Sequence, residues 1–302
     1  MKYSKRKIGS LEVSPIGMGA AHWSIWPDAD YAEGVRAFNA GVDAGITFVD
    51  TALRYTNATE DNHNEKLIAG AIRDHGWKSD VQPSEIKVAT KGGHYGRGPD
   101  AKWDTTREGI LQHCELSLKA LGVDSIDLYY LHWPREQEVS ISETMSAFEQ
   151  LRQEGKIKNV GVSNFDIRQL DEALAVTQVN AVQNLFNPNK QSEQQREMID
   201  YTRELGIAYV PYSSLGGTFP PKPLEAGNPR LQQLAEGLGV TVPVLTLDWH
   251  LNMSPNIIPL VGSRRAQSIV ESAKVLSVEI PAEVTAEVAE IYSRILPNQP
   301  RE

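Results

Sequence analysis

Short apolar runs alternate along the chain with longer amphipathic stretches. The runs at residues 16–19, 47–52, 87–91, 128–132, 160–163, 181–185, 208–212 and 257–261 are near-continuously apolar, the pattern of strands covered on both faces. Between them lie helical patterns. The stretch 31–44 sets Val35, Phe38 and Val42 on one face, and 105–121 does the same with Ile110, Cys114 and Leu118. The stretches 142–155 and 166–176 repeat the pattern, each opening on a Ser or Asp suited to cap a helix. Eight strand-then-helix units of about 30 to 40 residues predict either a closed parallel barrel or a doubly wound open sheet. Residues 7–13 read as a small hairpin around Gly9-Ser10, 282–295 as a closing helix, and 297–302 as a frayed end. The Pro- and Gly-rich stretch 216–229 reads as a loop after the seventh strand, too embedded to divide the chain. Residues 1–302 therefore read as one domain.

Composition narrows the function classes. The 302 residues are 40% hydrophobic and 23% charged, with 23 Gly and 17 Pro, which excludes disordered, collagenous and low-complexity readings. Length alone suits two domains of about 150 residues, or one α/β barrel of about 250 residues with additions. A net charge of −9, without a basic stripe, argues against a nucleic-acid partner. The single cysteine, Cys114, has no partner for a disulfide or a zinc site, and the seven histidines are scattered, so no metal is expected. No run of about 18 apolar residues occurs, so no membrane span is expected. The charged start has no apolar signal core behind it. These features together read as a soluble cytoplasmic protein.

Gly17-Met18-Gly19-Ala20-Ala21-His22 begins like a dinucleotide fingerprint, but His22 stands where helix and strand need a glycine to pack closely. Gly161-Val162-Ser163-Asn164-Phe165 lacks the second glycine of a nucleophile elbow. A different set of polar residues carries chemistry. The second apolar run ends Phe48-Val49-Asp50-Thr51-Ala52 and is followed shortly by Tyr55; Lys91 closes the third; His132 closes the fourth. In a parallel barrel all C-terminal strand ends share one face, and that face builds active sites. Buried charges need partners, and Asp50 and Lys91 on adjacent strands supply them for each other. An ammonium beside a phenol pulls the phenol's pKa down from its ordinary value near 10. Asp50 would keep Lys91 charged, and His132 would donate a hydrogen bond to a carbonyl oxygen. The set suits delivery of a proton to oxygen while a cofactor delivers hydride to carbon.

Asp50-Thr51-Ala52 with Tyr55, Thr90-Lys91, Leu131-His132, Gly161-Val162-Ser163-Asn164-Phe165, Gln183, Pro211-Tyr212-Ser213-Ser214-Leu215-Gly216-Gly217 and Gly262-Ser263-Arg264-Arg265 stand in order over nearly the whole chain. In these pieces the sequence resembles the aldo-keto reductase family. The resemblance implies a (β/α)8 TIM barrel with an N-terminal β-hairpin and a C-terminal helix. It also implies reversible reduction of small-molecule aldehydes or ketones with NADP(H). It makes Tyr55 the general acid/base, Lys91 and Asp50 its tuning pair, and His132 the carbonyl-orienting group. Ser163, Asn164 and Gln183 would hold the nicotinamide carboxamide and Tyr212 would stack on its ring. Ser213, Leu215 and Gly217 would line the pyrophosphate, and Gly262, Ser263 and Arg264 would meet the adenosine phosphate.

The sequence departs from the family pattern at Ser268 and Ser272, beside Glu271, which thins the adenosine contacts; Arg264 and Arg265 can compensate toward a 2′-phosphate. NADP(H) is therefore the favoured cofactor, with NAD(H) open. Trp23, Trp26, His94, Tyr95 and Trp133 follow the first, third and fourth strands and are the candidate substrate pocket. Two other functions fit the same residues: an NAD(P)-linked sugar or polyol dehydrogenase, and a non-catalytic nicotinamide-binding subunit.

Overall fold

The computed structural model describes residues 2–57, 60–76, 81–97, 100–216 and 228–295. Gly217, most of the 216–229 stretch and the 297–302 end lie outside them.

The chain starts with the hairpin β1 (Arg6–Ile8) and β2 (Leu11–Val13), in which Ile8 pairs with Leu11 and Arg6 with Val13. Gly9 leads the two-residue turn at φ +54, a conformation open to glycine at no steric cost. The alternating residues Ile8, Leu11 and Val13 are buried and join one apolar cluster with Phe48, Ala89, Leu128, Ala181 and Ala208 from inside the barrel. The hairpin thus stops the N-terminal end of the barrel.

Eight parallel strands follow. They are β3 (Gly17–Gly19), β4 (Phe48–Asp50), β5 (Lys87–Gly92), β8 (Leu128–Leu131), β9 (Val160–Ser163), β10 (Ala181–Gln183), β11 (Ala208–Tyr209) and β12 (Leu260–Val261). A short antiparallel pair, β6 (His94–Tyr95) and β7 (Lys102–Trp103), is inserted after β5. The sheet order is β11-β10-β9-β8-β5-β4-β3-β12. The ring closes where Tyr209 bridges Ile257, with Ile258 N–H donating to the Tyr209 carbonyl at 2.9 Å and Leu260 N–H to the Pro211 carbonyl at 3.0 Å. The predicted strands at 208–212 and 257–261 are shortened because Pro211 and Pro259 have no N–H for the ladder. Their carbonyls still accept, Pro259 from Gly17 at 3.0 Å.

Ten helices are found among the described residues: α1 (Tyr31–Asp43), α2 (His63–Asp74), α3 (Arg107–Leu121), α4 (Ile141–Gln153), α5 (Ile167–Leu174), α6 (Glu193–Glu204), α7 (Pro229–Gly237), α8 (Val242–Met253), α9 (Ala266–Ala273) and α10 (Ala282–Ser293). Polar caps start several of them. Asp30, Thr106, Ser140, Asp166 and Ser192 each accept a backbone N–H from the first turn of α1, α3, α4, α5 and α6. A second apolar cluster, including Phe38, Val49, Leu67, Ile110, Tyr129 and Phe148, fills the layer between strands and helices. The fold is the (β/α)8 barrel, and helices and hairpin leave its C-terminal rim to carry the polar residues.

Candidate active site

Asp50 is the last residue of β4 and Lys91 the fifth of β5, next to it in the ring. Their exposures are 2% and 1%. Lys91 Nζ donates to Asp50 Oδ1, and to the Thr51 carbonyl at 2.7 Å. Gln183, at the end of β10 across the ring, donates from Nε2 to Asp50 Oδ2 at 2.7 Å. The carboxylate is thus held from two sides.

Tyr55 lies in the turn after β4, its N–H bonded to the Ala52 carbonyl at 2.9 Å. Lys91 Nζ is 5.1 Å from the centre of the Tyr55 ring, close enough for its charge to act on the phenol. His132 follows β8, its N–H bonded to the Gly92 carbonyl at 3.0 Å. Its ring meets Tyr55 edge-on at 5.9 Å between centroids, and its Nδ1 is buried with no hydrogen-bond partner. Asp50, Tyr55 and His132 line one cavity of about 410 Å³, with Lys91 directly behind Asp50. The four residues predicted to converge do so.

The electrostatics differ from the sequence expectation at one point. Burial pushes the Tyr55 phenol above its ordinary 10 and outweighs the opposite pull of the Lys91 charge, with the Asp50 carboxylate adding to the rise. The phenol therefore holds its proton at neutral pH. Burial lowers the basicity of Lys91, but Asp50 and Tyr55 more than offset this and raise its pKa, so it stays an ammonium. Burial, aided by the charges of Lys91 and Arg54, holds His132 well below its ordinary value and so neutral.

A network that the sequence did not reveal fixes the strand ends. Asn64, fully buried at the start of α2, accepts from Thr51 Oγ1 at 2.6 Å and donates to the Ala20 carbonyl at 2.8 Å and Ser24 Oγ at 2.7 Å. Its neighbour Glu65 accepts from Thr90 Oγ1 at 2.6 Å. One helix end thereby ties down β3, β4 and β5 where Asp50 and Lys91 emerge.

Ser163, Asn164, Gln183 and Tyr212 line the other side of the same cavity. Ser163 Oγ donates to the Gln183 carbonyl at 2.8 Å and accepts from Asn164 Nδ2 at 3.0 Å. Asn164, at φ +63, also donates to the His132 carbonyl at 3.0 Å, and its Oδ1 accepts from Tyr212 at 2.8 Å. Burial, with Tyr55 nearby, pushes the Tyr212 phenol up to about 12. Ser213 (φ +54), Leu215 and Gly262 complete this wall. Leu215 and Gly262 also border a second cleft of about 780 Å³ that contains Ser263, Arg265, Ser268 and Glu271. Polar amide partners, an aromatic face and a cation thus line two cavities that share Leu215 and Gly262, and these residues fit a nicotinamide dinucleotide.

Three predicted residues stand elsewhere. Arg264 turns from the cleft to bind Asp28 at 2.9 Å and Glu33 at 3.0 Å; Arg265 faces the cleft in its place. Trp23 is 1% exposed and donates to the Ser263 carbonyl at 2.8 Å, packed beneath the rim. Tyr95 packs on His113 at 4.6 Å between ring centroids. Trp26, His94 and Trp133 do line an outer funnel of about 930 Å³ that shares Tyr55 and His132 with the inner cavity. Arg54 and Trp103 join them there, and His22 joins the inner cavity, three residues the sequence did not single out. Trp103 stacks on His94 at 3.7 Å.

The described residues hold no cluster of His, Cys, Asp or Glu suited to a metal ion, and no helix long and apolar enough to cross a membrane. The sequence profile described as the Aldo/keto reductase family matches residues 15–293. Aldo-keto reductase YhdN of Bacillus subtilis (strain 168) is 32% identical over 71% of this chain, a match that spans 62% of its own length. Probable aldo-keto reductase 1 of Glycine max is 30% identical over 94% of this chain and 87% of its own. Among solved structures, the glycerol dehydrogenase AKR11B4 from Gluconobacter oxydans matches with a TM-score of 0.79 and 25% identity, covering 100% of this chain and 99% of that one. An aldo/keto reductase from Klebsiella pneumoniae in complex with NADP and acetate matches at 0.76 and 25%, covering 100% and 98%. With its profile spanning nearly the whole chain and the motif residues gathered at one rim, this protein belongs to the Aldo/keto reductase family.

Proposed function

We propose that this oxidoreductase reduces an aldehyde or ketone to the alcohol with hydride from NADPH, and that Tyr55 is the proton donor. The observation that carries the reading is the shared cavity of Asp50, Tyr55 and His132 with Lys91 behind them. NADP(H) is the cofactor by family membership and by the cation, Arg265, in the outer cleft. The NADP bound by the similar Klebsiella enzyme supports the same choice. Ser163, Asn164 and Gln183 hold its carboxamide, Tyr212 its ring, and Ser213, Leu215, Gly262, Ser263 and Arg265 its phosphates.

When bound, the nicotinamide supplies hydride to the carbonyl carbon. The neutral imidazole of His132 donates a hydrogen bond that orients and polarises the carbonyl oxygen. The Tyr55 hydroxyl gives its proton to that oxygen as negative charge develops there. Lys91 stabilises the phenolate left behind, and Asp50, braced by Gln183, keeps Lys91 charged and in position. A phenol that retains its proton at neutral pH is ready to donate it, as reduction requires. The buried, unpaired Cys114 agrees with a reducing cytoplasm.

Tyr55→Phe tests the assignment. Carbonyl-dependent NADPH oxidation should fall by about 10²–10⁴-fold, the range for loss of a positioned acid, while NADPH binding measured by fluorescence is retained. Undiminished turnover refutes the role.

A further inference from the structure

We infer that the substrate carries a carboxylate besides its carbonyl, and that Arg54 binds it. This rests on the reading that the carbonyl is reduced at Tyr55.

Arg54 immediately precedes Tyr55, so one turn brings the guanidinium and the proton-donating hydroxyl into the same funnel. The guanidinium is partly buried, and its Nε is enclosed with no hydrogen-bond partner. No carboxylate, amide or carbonyl among the described residues meets this side chain. The other described arginines, Arg265 apart, are all engaged. Arg6 meets backbone carbonyls, Arg107 and Arg196 meet glutamines, and the rest meet carboxylates. The two unengaged guanidinia each line a cavity: Arg265 in the cleft assigned to the cofactor phosphates, Arg54 in the funnel above the reacting groups. In a chain of net charge −9 carboxylates are plentiful. A half-buried cation without one is a costly arrangement that a ligand anion relieves.

The remaining charges in the funnel do not cancel Arg54. Arg97 is paired with Asp61 at 2.9 Å, and Asp100, the single acid of the lining among the described residues, offsets the charge of Arg54 only formally, since the two form no ion pair. Arg54 also acts on the reacting position, since its charge helps to keep both His132 and His94 neutral. A single planar fork matches a carboxylate in two parallel hydrogen bonds. A phosphate dianion would call for a second free cation or a helix N-terminus, and the funnel's other guanidinium, Arg97, is already paired with Asp61, while Trp26, Trp103 and Trp133 offer an aromatic wall.

The test compares 4-carboxybenzaldehyde with 4-methylbenzaldehyde, and glyceraldehyde 3-phosphate with glyceraldehyde, in wild type, Arg54→Met and Arg54→Lys. Wild type should prefer the carboxylate in kcat/KM. Arg54→Met should cut that preference about ten- to a hundredfold, the range for one charge-assisted hydrogen-bond pair, chiefly through KM; Arg54→Lys should restore part of it. A variant that slows both aldehydes of a pair equally acts through Tyr55 placement and overturns the proposal. So does a wild type without anion preference, or an Arg54-dependent preference larger for the phosphate pair. If no carbonyl is turned over, the proposed function fails separately. Quenching of tryptophan fluorescence by 4-carboxybenzaldehyde then decides: binding lost in Arg54→Met supports the anion site, and equal affinity in both proteins overturns it.

Discussion

Replacing Lys91 by methionine keeps the bulk of the side chain and removes its charge. Asp50 then remains 2% exposed, with Gln183 still donating to its Oδ2. Breaking a buried ion pair from one side costs about 3–5 kcal/mol. At about 2 °C per kcal/mol for a chain of this size, the melting temperature should fall by about 6–10 °C at pH 7. The loss depends on pH in a definite sense. Burial already pushes the Asp50 carboxyl up with Lys91 in place, and removal of the ammonium pushes it further. A carboxyl whose folded pKa exceeds its unfolded value near 4 contributes stability below that value and loses it as pH rises through the folded pKa. The deficit of Lys91→Met should therefore be widest at pH 7 and above and narrow toward pH 4. The double variant Asp50→Asn/Lys91→Met carries no buried charge and should recover most of the stability, with the Asn keeping the Gln183 contact. Calorimetry on the four proteins of this cycle, at pH 4.5 and 7.5, reads both effects. Additive losses, or a Lys91→Met deficit independent of pH, would refute the view that one coupled buried pair underlies the site.

Other outcomes follow from the same geometry. Reductive kcat/KM should stay level from about pH 7 and fall only above 10, because burial raises the Tyr55 phenol and lowers the His132 imidazole; a break near pH 6.5 or 8 would contradict those protonation states. Arg265→Ala should weaken NADPH about tenfold relative to NADH, the effect of losing roughly one charge-assisted contact. Arg264→Ala, which frees Asp28 and Glu33 instead, should change the two affinities alike. Binding titrations with both dinucleotides separate the two arginines.

The eight barrel strands were legible because a strand buried on both faces leaves a continuous apolar run. Asp50, Lys91 and His132 were legible because they interrupt those runs. Other elements left no such trace. The buried side of α2 begins with His63, Asn64 and Glu65, polar residues that hide its period while they pin the neighbouring strand ends. Helix α8 is buried almost all round, from Val244 through Leu251 with Thr246, Asp248 and His250 included, so no stripe marks it. Strands β6 and β7 have two residues each, too few to show alternation, yet they bring Trp103 to the funnel. The choice between Arg264 and Arg265 depends on Asp28 and Glu33, over 230 positions away. The suppression of the Lys91 effect on Tyr55 depends on how deeply the group is enclosed, which spacing does not encode.

The ring of strands is divided in its labour. The residues proposed to handle the proton hang on β4, β5 and β8, while those proposed to hold the nicotinamide hang on β9, β10 and the residues after β11. The outer funnel is walled by loops that leave β3, β4, β5 and β8, and the distal cleft by segments around α8, β12 and α9. The two regions are joined chiefly where the loop after β3 meets the loop after β12, through Trp23 on Ser263 and Arg264 on Asp28 and Glu33, so turns away from that seam can be retailored separately. Evolution, or an engineer, can graft a new appetite onto this scaffold by rewriting a few surface turns while the inherited reducing apparatus stays whole.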